Sequence, residues 1–386
     1  MTIRYQAFCL EFPQELSDYI FETPGLRDDY SSLKHCSLVC RAWLYATRTH
    51  LFRHVILTSK NIVPFTFLIT DSPSTVHSHI KKLELRKIDC LNLNRRVISN
   101  FTSTLTHLLL RDMSFNSFID ILDIICLFPC LQSIALEGLT VVETSSVEKS
   151  PRIHNKVLPS SVNSVRYRGE FLRTFLLWLL RHTNVPKITD LDVGPIQQEC
   201  IFEVGRFLVF NGRVVKHISF TFAFSDDTHI CFQDNYTEAL LTTEHTNASS
   251  IARRYKALFG LEICPNLAAL TGLQSLRLDN FIHFEDRNQD SALFWAPRLL
   301  ASIKAVELHE VILCVSLGKA GELDKFNIRW DFLDEMFNSM DGPYANLVSL
   351  KFEITGTVKM DGIASLIRSR LPGCEKRGLL QFCRKN

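Results

Sequence analysis

A phrase of the form apolar-x-x-apolar-x-apolar returns nine times along this chain, and that return constrains the fold more than any other feature. It begins at Ile80, Leu105, Leu131, Val162, Ile188, Val215, Leu273, Ile303 and Leu347, with successive starts 25, 26, 31, 26, 27, 58, 30 and 44 residues apart. Leucine is common, so one copy means nothing. A near-regular period in the high twenties, however, marks a solenoid, in which each unit buries its apolar face only by stacking on the next. The interval of 58 is about two of the others, which predicts a degenerate copy between Phe220 and Leu273.

The stretches between phrases carry helical periodicity. Helices are predicted at Phe118–Ile125, Phe171–Leu180, Gln197–Phe210, Ala292–Ile303, Phe332–Met340 and Ile363–Leu371. The stretch from Phe171 to Leu180 is apolar on nearly every side and should be deeply buried. Polar text at 142–163 and 225–250 reads as two insertions. The final stretch, 371–386, is expected to cap the array.

The phrase resembles the leucine-rich repeat, Leu-x-x-Leu-x-Leu-x-x-Asn. In place of that family's asparagine this chain has Ile88, Met113, Leu139, Glu170, Ile196, Ala223, Phe281, Val311 and Thr355. The repeats are therefore irregular, without a continuous asparagine ladder. Strand side chains alternate, so the residues between the apolar positions face away from the core. Arg86, Arg111, Arg166, Arg168, Asp192, Arg277, Asp279 and Glu307 are the candidates on that face for binding a target. Their mixed signs suit a polar protein ligand.

The text before the repeats differs. Pro13 suits a first helical turn. Leu16, Tyr19 and Ile20 share one helical face, and Gly25 with Asp28 and Asp29 ends that helix. Ser31 or Ser32 is the expected cap of a second helix. Its stripe runs Leu33, Cys36, Cys40, Trp43 and Thr47, widened by Val39, Ala42 and Ala46. About 40 residues bury little apolar surface alone, so such a unit must lean on the rest of the chain or on a partner. Arg53-His54-Val55-Ile56-Leu57 then alternates like a strand that joins the two parts.

The order Phe12-Pro13-Gln14-Glu15-Leu16, Ile20-Phe21, and Leu33-Lys34-His35-Cys36-Ser37-Leu38-Val39-Cys40-Arg41-Ala42-Trp43 resembles the F-box family in its fungal variant. Phe12 departs from the leucine usual there. The resemblance covers about the first fifty residues. It implies docking on the Skp-type adaptor of an SCF-type cullin–RING ubiquitin ligase through Pro13, Leu16, Ile20, Leu33, Val39, Cys40 and Trp43, some of which must serve the unit's own core. The expected fold is then α/β: a short N-terminal helical F-box domain over 1–57, followed by a leucine-rich-repeat-like strand–helix solenoid over 58–386. The expected role is target recognition, without catalysis. The alternatives are an interaction scaffold not linked to ubiquitylation, and a hydrolase built on the 225–250 insertion.

Composition narrows the partners. The formal charge is +2, with no basic run of the kind nucleic acid requires, so neither nucleic acid nor membrane is expected as a partner. The longest apolar patch, Phe175–Leu180, is too short to span a bilayer, and Met1-Thr2-Ile3-Arg4-Tyr5 leads into no signal-type run. Twelve cysteines include no Cys-x-x-Cys and read as free thiols in a reducing compartment, cytoplasmic or nuclear. Asp226, Asp227, His229, Glu244 and His245 are the residues a metal-dependent hydrolase would need, but surface-loop composition explains them, and no metal or cofactor is expected. No phosphate loop, dinucleotide fingerprint, zincin or nucleophile-elbow motif occurs.

Overall fold

The structure is a computed structural model that describes residues 19–21, 23, 29–70, 76–89, 98, 101–142, 156–181, 186–196, 200–222, 264–283, 299–326 and 328–385. The chain divides into two compact units, Met1–Ala135 with Leu139–Thr144, and Leu136–Gly138 with Ser145–Asn386.

Within the first unit lie α1 (Tyr30–Cys36) and α2 (Arg41–Leu51). Next come β1 (His54–Thr58), α3 (Ile62–Thr70), α4 (Val76–His79), β2 (Lys82–Arg86) and β3 (His107–Arg111). β1 pairs parallel with β2, and β2 with β3. The strand read as a junction is thus the first rung of the ladder, with Val55 opposite Leu83 and Leu57 opposite Leu85. β4 (Ser114–Phe115) pairs with β6 (Thr140–Val141), and α5 (Phe118–Ile125) forms over the residues expected. A reciprocal capping box between Ser117 and Asp120 starts α5. The division between units falls within β5 (Ser133–Glu137).

In the second unit seven parallel strands pair in sequence order. They are β7 (Ser164–Arg168), β8 (Asp190–Ile196), β9 (His217–Phe222), β10 (Ser275–His283), β11 (Glu310–Ser316), β12 (Ser349–Thr355) and β13 (Leu380–Arg384). Between them lie α6 (Leu172–Leu180), α7 (Ile201–Asn211), α8 (Trp330–Asn338), α9 (Met360–Arg370) and α10 (Pro372–Lys376). α6 is as buried as its composition requires: Leu172, Phe175, Leu176, Trp178 and Leu179 are all inside. Of the helix predicted at 292–303, residues 299–301 are helical and 292–298 lie outside the described residues.

A backbone device repeats with the phrase. The carbonyl just before a strand accepts two N–H groups at the start of the next. Arg53 O takes Lys81 and Lys82, Lys81 O takes Thr106 and His107, and Thr106 O takes Gln132 and Ser133. In the second unit Asn163, Thr189, Lys216, Gln274 and His309 do the same in turn. A second marker is left-handed backbone seven residues after the phrase begins, at Lys87, Asp112, Gly138 and Asn280 (φ 51°, 51°, 59° and 56°). Four copies turn their backbone at this place, and only one of the four residues is a glycine.

Two expectations need correction. First, His309 O occupies the acceptor position before β11, and Val311 and Leu313 stand opposite Leu276 and Leu278. The copy there therefore begins at Leu308, not Ile303. Val306 is largely exposed at 62%, and Glu307 sits in the turn before the strand, off the ladder. The apolar run Ile303, Val306, Leu308 satisfied the phrase by chance, five residues early. Second, His217 pairs directly with Ser275, so no hidden copy lies between β9 and β10 in the sheet. The C-terminal stretch contributes β13, the last strand in the sheet order, whose Leu380 and Phe382 stand opposite Leu350 and Phe352. The asparagine ladder is indeed replaced by packing: Ile88, Met113, Leu139, Ile196 and Phe281 are buried. Thr355 keeps a polar remnant, its hydroxyl donating to Val315 O at 3.4 Å.

Candidate functional site

The N-terminal helices form differently from the continuous stripe expected. Asp29 is the cap: its carboxylate accepts from Ser31 N at 3.0 Å, Ser32 N at 3.2 Å and the Ser32 hydroxyl at 2.5 Å. Ser31 and Ser32 lie inside the first turn instead. The helix then stops at Cys36, and a turn over 37–40 separates α1 from α2. That break splits the predicted stripe and decides which residues face solvent.

Leu33 is fully buried, while Leu38 and Val39 are 83% and 65% exposed and Cys40 is also exposed. Trp43 is half-buried and meets buried Phe21 edge-on at 5.4 Å. Its carbonyl accepts from the buried Thr47 hydroxyl at 2.6 Å. Ile20 is half-buried. Of the residues that the F-box resemblance assigns to docking, Leu33 thus serves the helical core, and Val39 and Cys40 stand in the open. Pro13 and Leu16 lie outside the described residues.

On the polar face of the first unit, register sets the neighbours. His54, Lys82 and His107 form one row across β1, β2 and β3, and Thr58, Arg86 and Arg111 another. Between them Glu84 is buried. Arg86 and Arg111 (3.6 Å) hold its carboxylate, and His54 approaches to 3.7 Å. Arg86 and Arg111, two of the predicted target contacts, are therefore brought together around one carboxylate.

The second unit gathers five more. Arg166 Nε meets Asp192 at 2.8 Å, with Glu137 at 3.5 Å on its other side. Arg168 joins Asp192 at 3.0 Å to Asp279 at 2.8 Å. Arg277 joins Asp279 at 2.8 Å to Glu353 at 2.6 Å, and Lys351 and Lys385 approach Glu353 and Asp279 at 3.5 and 3.6 Å. The Cys314 thiol donates to Asp279 at 3.0 Å and lies 3.0 Å from Arg277 NH2.

The electrostatics follow from these contacts. Burial opposes the Asp279 charge, but the Cys314 thiol and the charges of Arg277, Lys385 and Arg168 outweigh it and hold the pKa well below the usual carboxylate range. Hydrogen bonding from Arg277 lowers that of Glu353. Burial, with Asp279 beside it, pushes the Cys314 thiol far up.

Sequence reasoning missed Glu137, Cys314, Lys351, Glu353 and Lys385 as members of this network. Lys351 and Glu353 occupy the same alternating positions as Arg277 and Asp279, and could have been found from the phrase at Leu347. Cys314 was hidden by the misplaced phrase. Glu307 is not part of the network.

Among the described residues no group of three or more His, Cys, Asp or Glu side chains could hold a metal ion, and no helix is long and apolar enough to cross a membrane. Asp226, Asp227, His229, Glu244 and His245 lie outside the described residues. No family model and no curated protein sequence matches the chain. Among solved structures it is similar to the leucine-rich repeat-containing protein LegL7 from Legionella pneumophila, at 14% identity and a TM-score of 0.40, over 80% of this chain and 89% of that one. The reading of strand–helix repeats rests on this chain's own register and recurring backbone bonds.

Proposed function

We propose that this chain is a non-catalytic protein-interaction scaffold. Its strand face receives a protein partner, and its N-terminal turn seats a second one. The observation that supports this best is the Leu38–Val39–Cys40 turn. Two large apolar side chains, Leu38 and Val39, stand side by side and mostly exposed on a turn beside a compact helical pair, where one partner surface can cover both. The finer reading, supported by the F-box resemblance over the same residues, makes that partner the Skp-type adaptor of an SCF-type cullin–RING ligase. The chain then acts as a target receptor whose contribution is proximity, raising a target's effective concentration near the ubiquitin-charged enzyme.

Co-purification tests it. The full chain should retain the adaptor, and Val39→Glu should lose it while remaining folded by circular dichroism. A folded wild-type chain that retains no adaptor removes the ligase reading and leaves the scaffold. Disappearance of a bound partner in cells, dependent on the adaptor, would separate target receptor from simple scaffold.

A further inference from the structure

The two ends of the strand ladder are finished differently. β1 is the first strand in the sheet order and β13 the last. At β1, Arg53 O accepts from Lys82 N and sets the phase, so His54, Ile56 and Thr58 turn their peptide groups to the edge away from β2. Asn61 occupies that edge. Its side-chain oxygen accepts from Thr58 N at 2.7 Å, and its side-chain nitrogen donates to Ile56 O at 2.9 Å. Its backbone N–H donates to Thr58 O at 3.1 Å. An asparagine amide offers an acceptor and donors as a peptide group does, so Asn61 stands where a further strand would.

At β13 nothing among the described residues takes that place. Leu350 N donates to Leu379 O, and Lys385 N to Ile354 O, which fixes the phase there. Leu380, Phe382 and Arg384 therefore direct their N–H and carbonyl groups away from β12, and among the described residues no backbone bond reaches them. The core side is unfinished at the same place. Leu350 and Phe352 are fully buried, yet their register partners Leu380 and Phe382 are only half-buried. The Phe382 ring stacks on Phe352 at 5.7 Å, and the Arg368 guanidinium lies 5.0 Å from its centroid. One more strand would cover Leu380 and Phe382 together.

We propose that the outer edge of β13 takes an acidic, extended segment of a protein partner as the next strand of the ladder. Its outward N–H and carbonyl groups repeat at every second residue, about 6.6 Å apart, a spacing matched by another extended peptide backbone. Side chains set which strand fits. Leu380 and Phe382 call for apolar residues at alternate positions, and Arg384, next on the same face, calls for a carboxylate. Charge decides between a partner and a second copy. Residues 360–385 carry six basic side chains against two acidic ones, in a chain whose formal charge is only +2. Of the two acids, Glu375 already meets Arg368 at 3.4 Å. Lys385 approaches Asp279 at 3.6 Å, but Arg384 donates only to a carbonyl, Gly356 O, and Lys376 is exposed. Two such edges brought together would oppose like charges, whereas an acidic strand satisfies them. This surface is the edge of the ladder, distinct from the polar strand face, and depends on neither the adaptor nor the partner of that face.

The test is fluorescence anisotropy with the full chain at about 0.15 M salt. The probe is a labelled seven-residue peptide with glutamate at both ends, valine at its third and fifth positions and threonine between, which fits in either strand direction. Its controls are a form with lysine at both ends and a form N-methylated at every inner amide. The acidic peptide should bind at least about tenfold more tightly than either control. Arg384→Glu should weaken it about tenfold or more. Lys216→Glu, an equal charge change at an exposed position before β9, should leave it unchanged. Arg384→Gln, checked like the others by circular dichroism, should give an intermediate loss and guards against misfolding of the charge reversal. Hydrogen exchange over residues 379–385 should slow when the acidic peptide is bound. Equal binding of the N-methylated peptide overturns strand addition, and equal binding of the lysine form overturns the acidic partner. Equal weakening by Arg384→Glu and Lys216→Glu overturns the site. A chain that sediments as a dimer with 379–385 already protected, and becomes monomeric in Arg384→Glu, overturns the proposal in favour of a second copy.

Discussion

The Arg168 guanidinium donates to Asp279 at 2.8 Å across two intervening strands, β8 and β9. Gly194 stands next to Arg168 in the register, and a Cβ there would collide with Thr221. Asp279 is 5% exposed and accepts from Arg168, Arg277, Thr221 and Cys314. Removing its charge leaves Arg168 only Asp192 and Arg277 only Glu353 as carboxylate partners, and breaking a buried pair is strongly destabilising. Asp279→Asn should therefore cost about 3 kcal/mol in urea unfolding of the full chain. Gly194→Ala should cost about 1–3 kcal/mol through overpacking. A loss below 1 kcal/mol for Asp279→Asn would show that solvent already screens the network.

Acid should weaken the second unit in a definite window. Asp279 and Glu353 both have folded pKa values below their unfolded ones. The unfolded chain therefore takes up protons first as pH falls. The stability these groups supply is complete above about pH 5, past the unfolded carboxylate pKa values near 4, and is lost as pH drops toward the folded values. Unfolding free energy should fall most steeply below about pH 4, and Asp279→Asn should flatten that slope. An unchanged slope in the variant would assign the acid sensitivity to other carboxylates.

Eight of the nine phrases were legible because three apolar positions per coil are a direct demand of the core. Leu83, Leu85, Leu108 and Leu110 are all buried as that demand requires. The misread copy shows the limit. Ile303, Val306 and Leu308 meet the same pattern as Leu308, Val311 and Leu313, and it takes the backbone bonds of His309, the register of β11 and the exposure of Val306 to distinguish them. The polar faces were legible as faces but not as networks. Arg168 and Asp279 lie 111 residues apart, and no local pattern in the sequence announces that they meet. At the N-terminus the helical spacing was real on either side of 37–40, but spacing alone does not announce a turn that interrupts it. Asp29 as the cap lies two or three residues before the serines expected there.

The N-terminal pair separates core from surface in a single experiment. Leu33 is fully buried, so Leu33→Ala should cost about 2–5 kcal/mol. Trp43 is half-buried, and its truncation should cost less than the roughly 3–5 kcal/mol typical of a fully buried aromatic. Val39→Glu, at a 65% exposed position, should change stability by less than about 0.5 kcal/mol. Thermal unfolding of the three variants checks this order. A large loss in Val39→Glu would mean that the turn is covered by this chain itself, and would withdraw it as a docking surface.

Cysteine alkylation gives an independent map of the same structure. Cys40 and Cys130 are exposed, whereas Cys314 and Cys374 are buried. Burial raises both buried thiols, and hydrogen bonding to Asp279 and Asp334 respectively raises them further. Since the thiolate is the reactive form, both factors act in the same direction. Iodoacetamide at neutral pH, followed by peptide mass spectrometry, should label Cys40 and Cys130 first, and Cys314 and Cys374 only on unfolding. The Asp279→Asn variant supplies the sharper test. It removes the carboxylate beside Cys314 but not beside Cys374, and loosens the packing around the first thiol alone. Cys314 should then label faster than in the wild type while Cys374 stays protected. Equal acceleration at both would mean that the substitution opens the whole unit, and that the Arg168–Asp279–Arg277 network holds the coils together globally instead of locally.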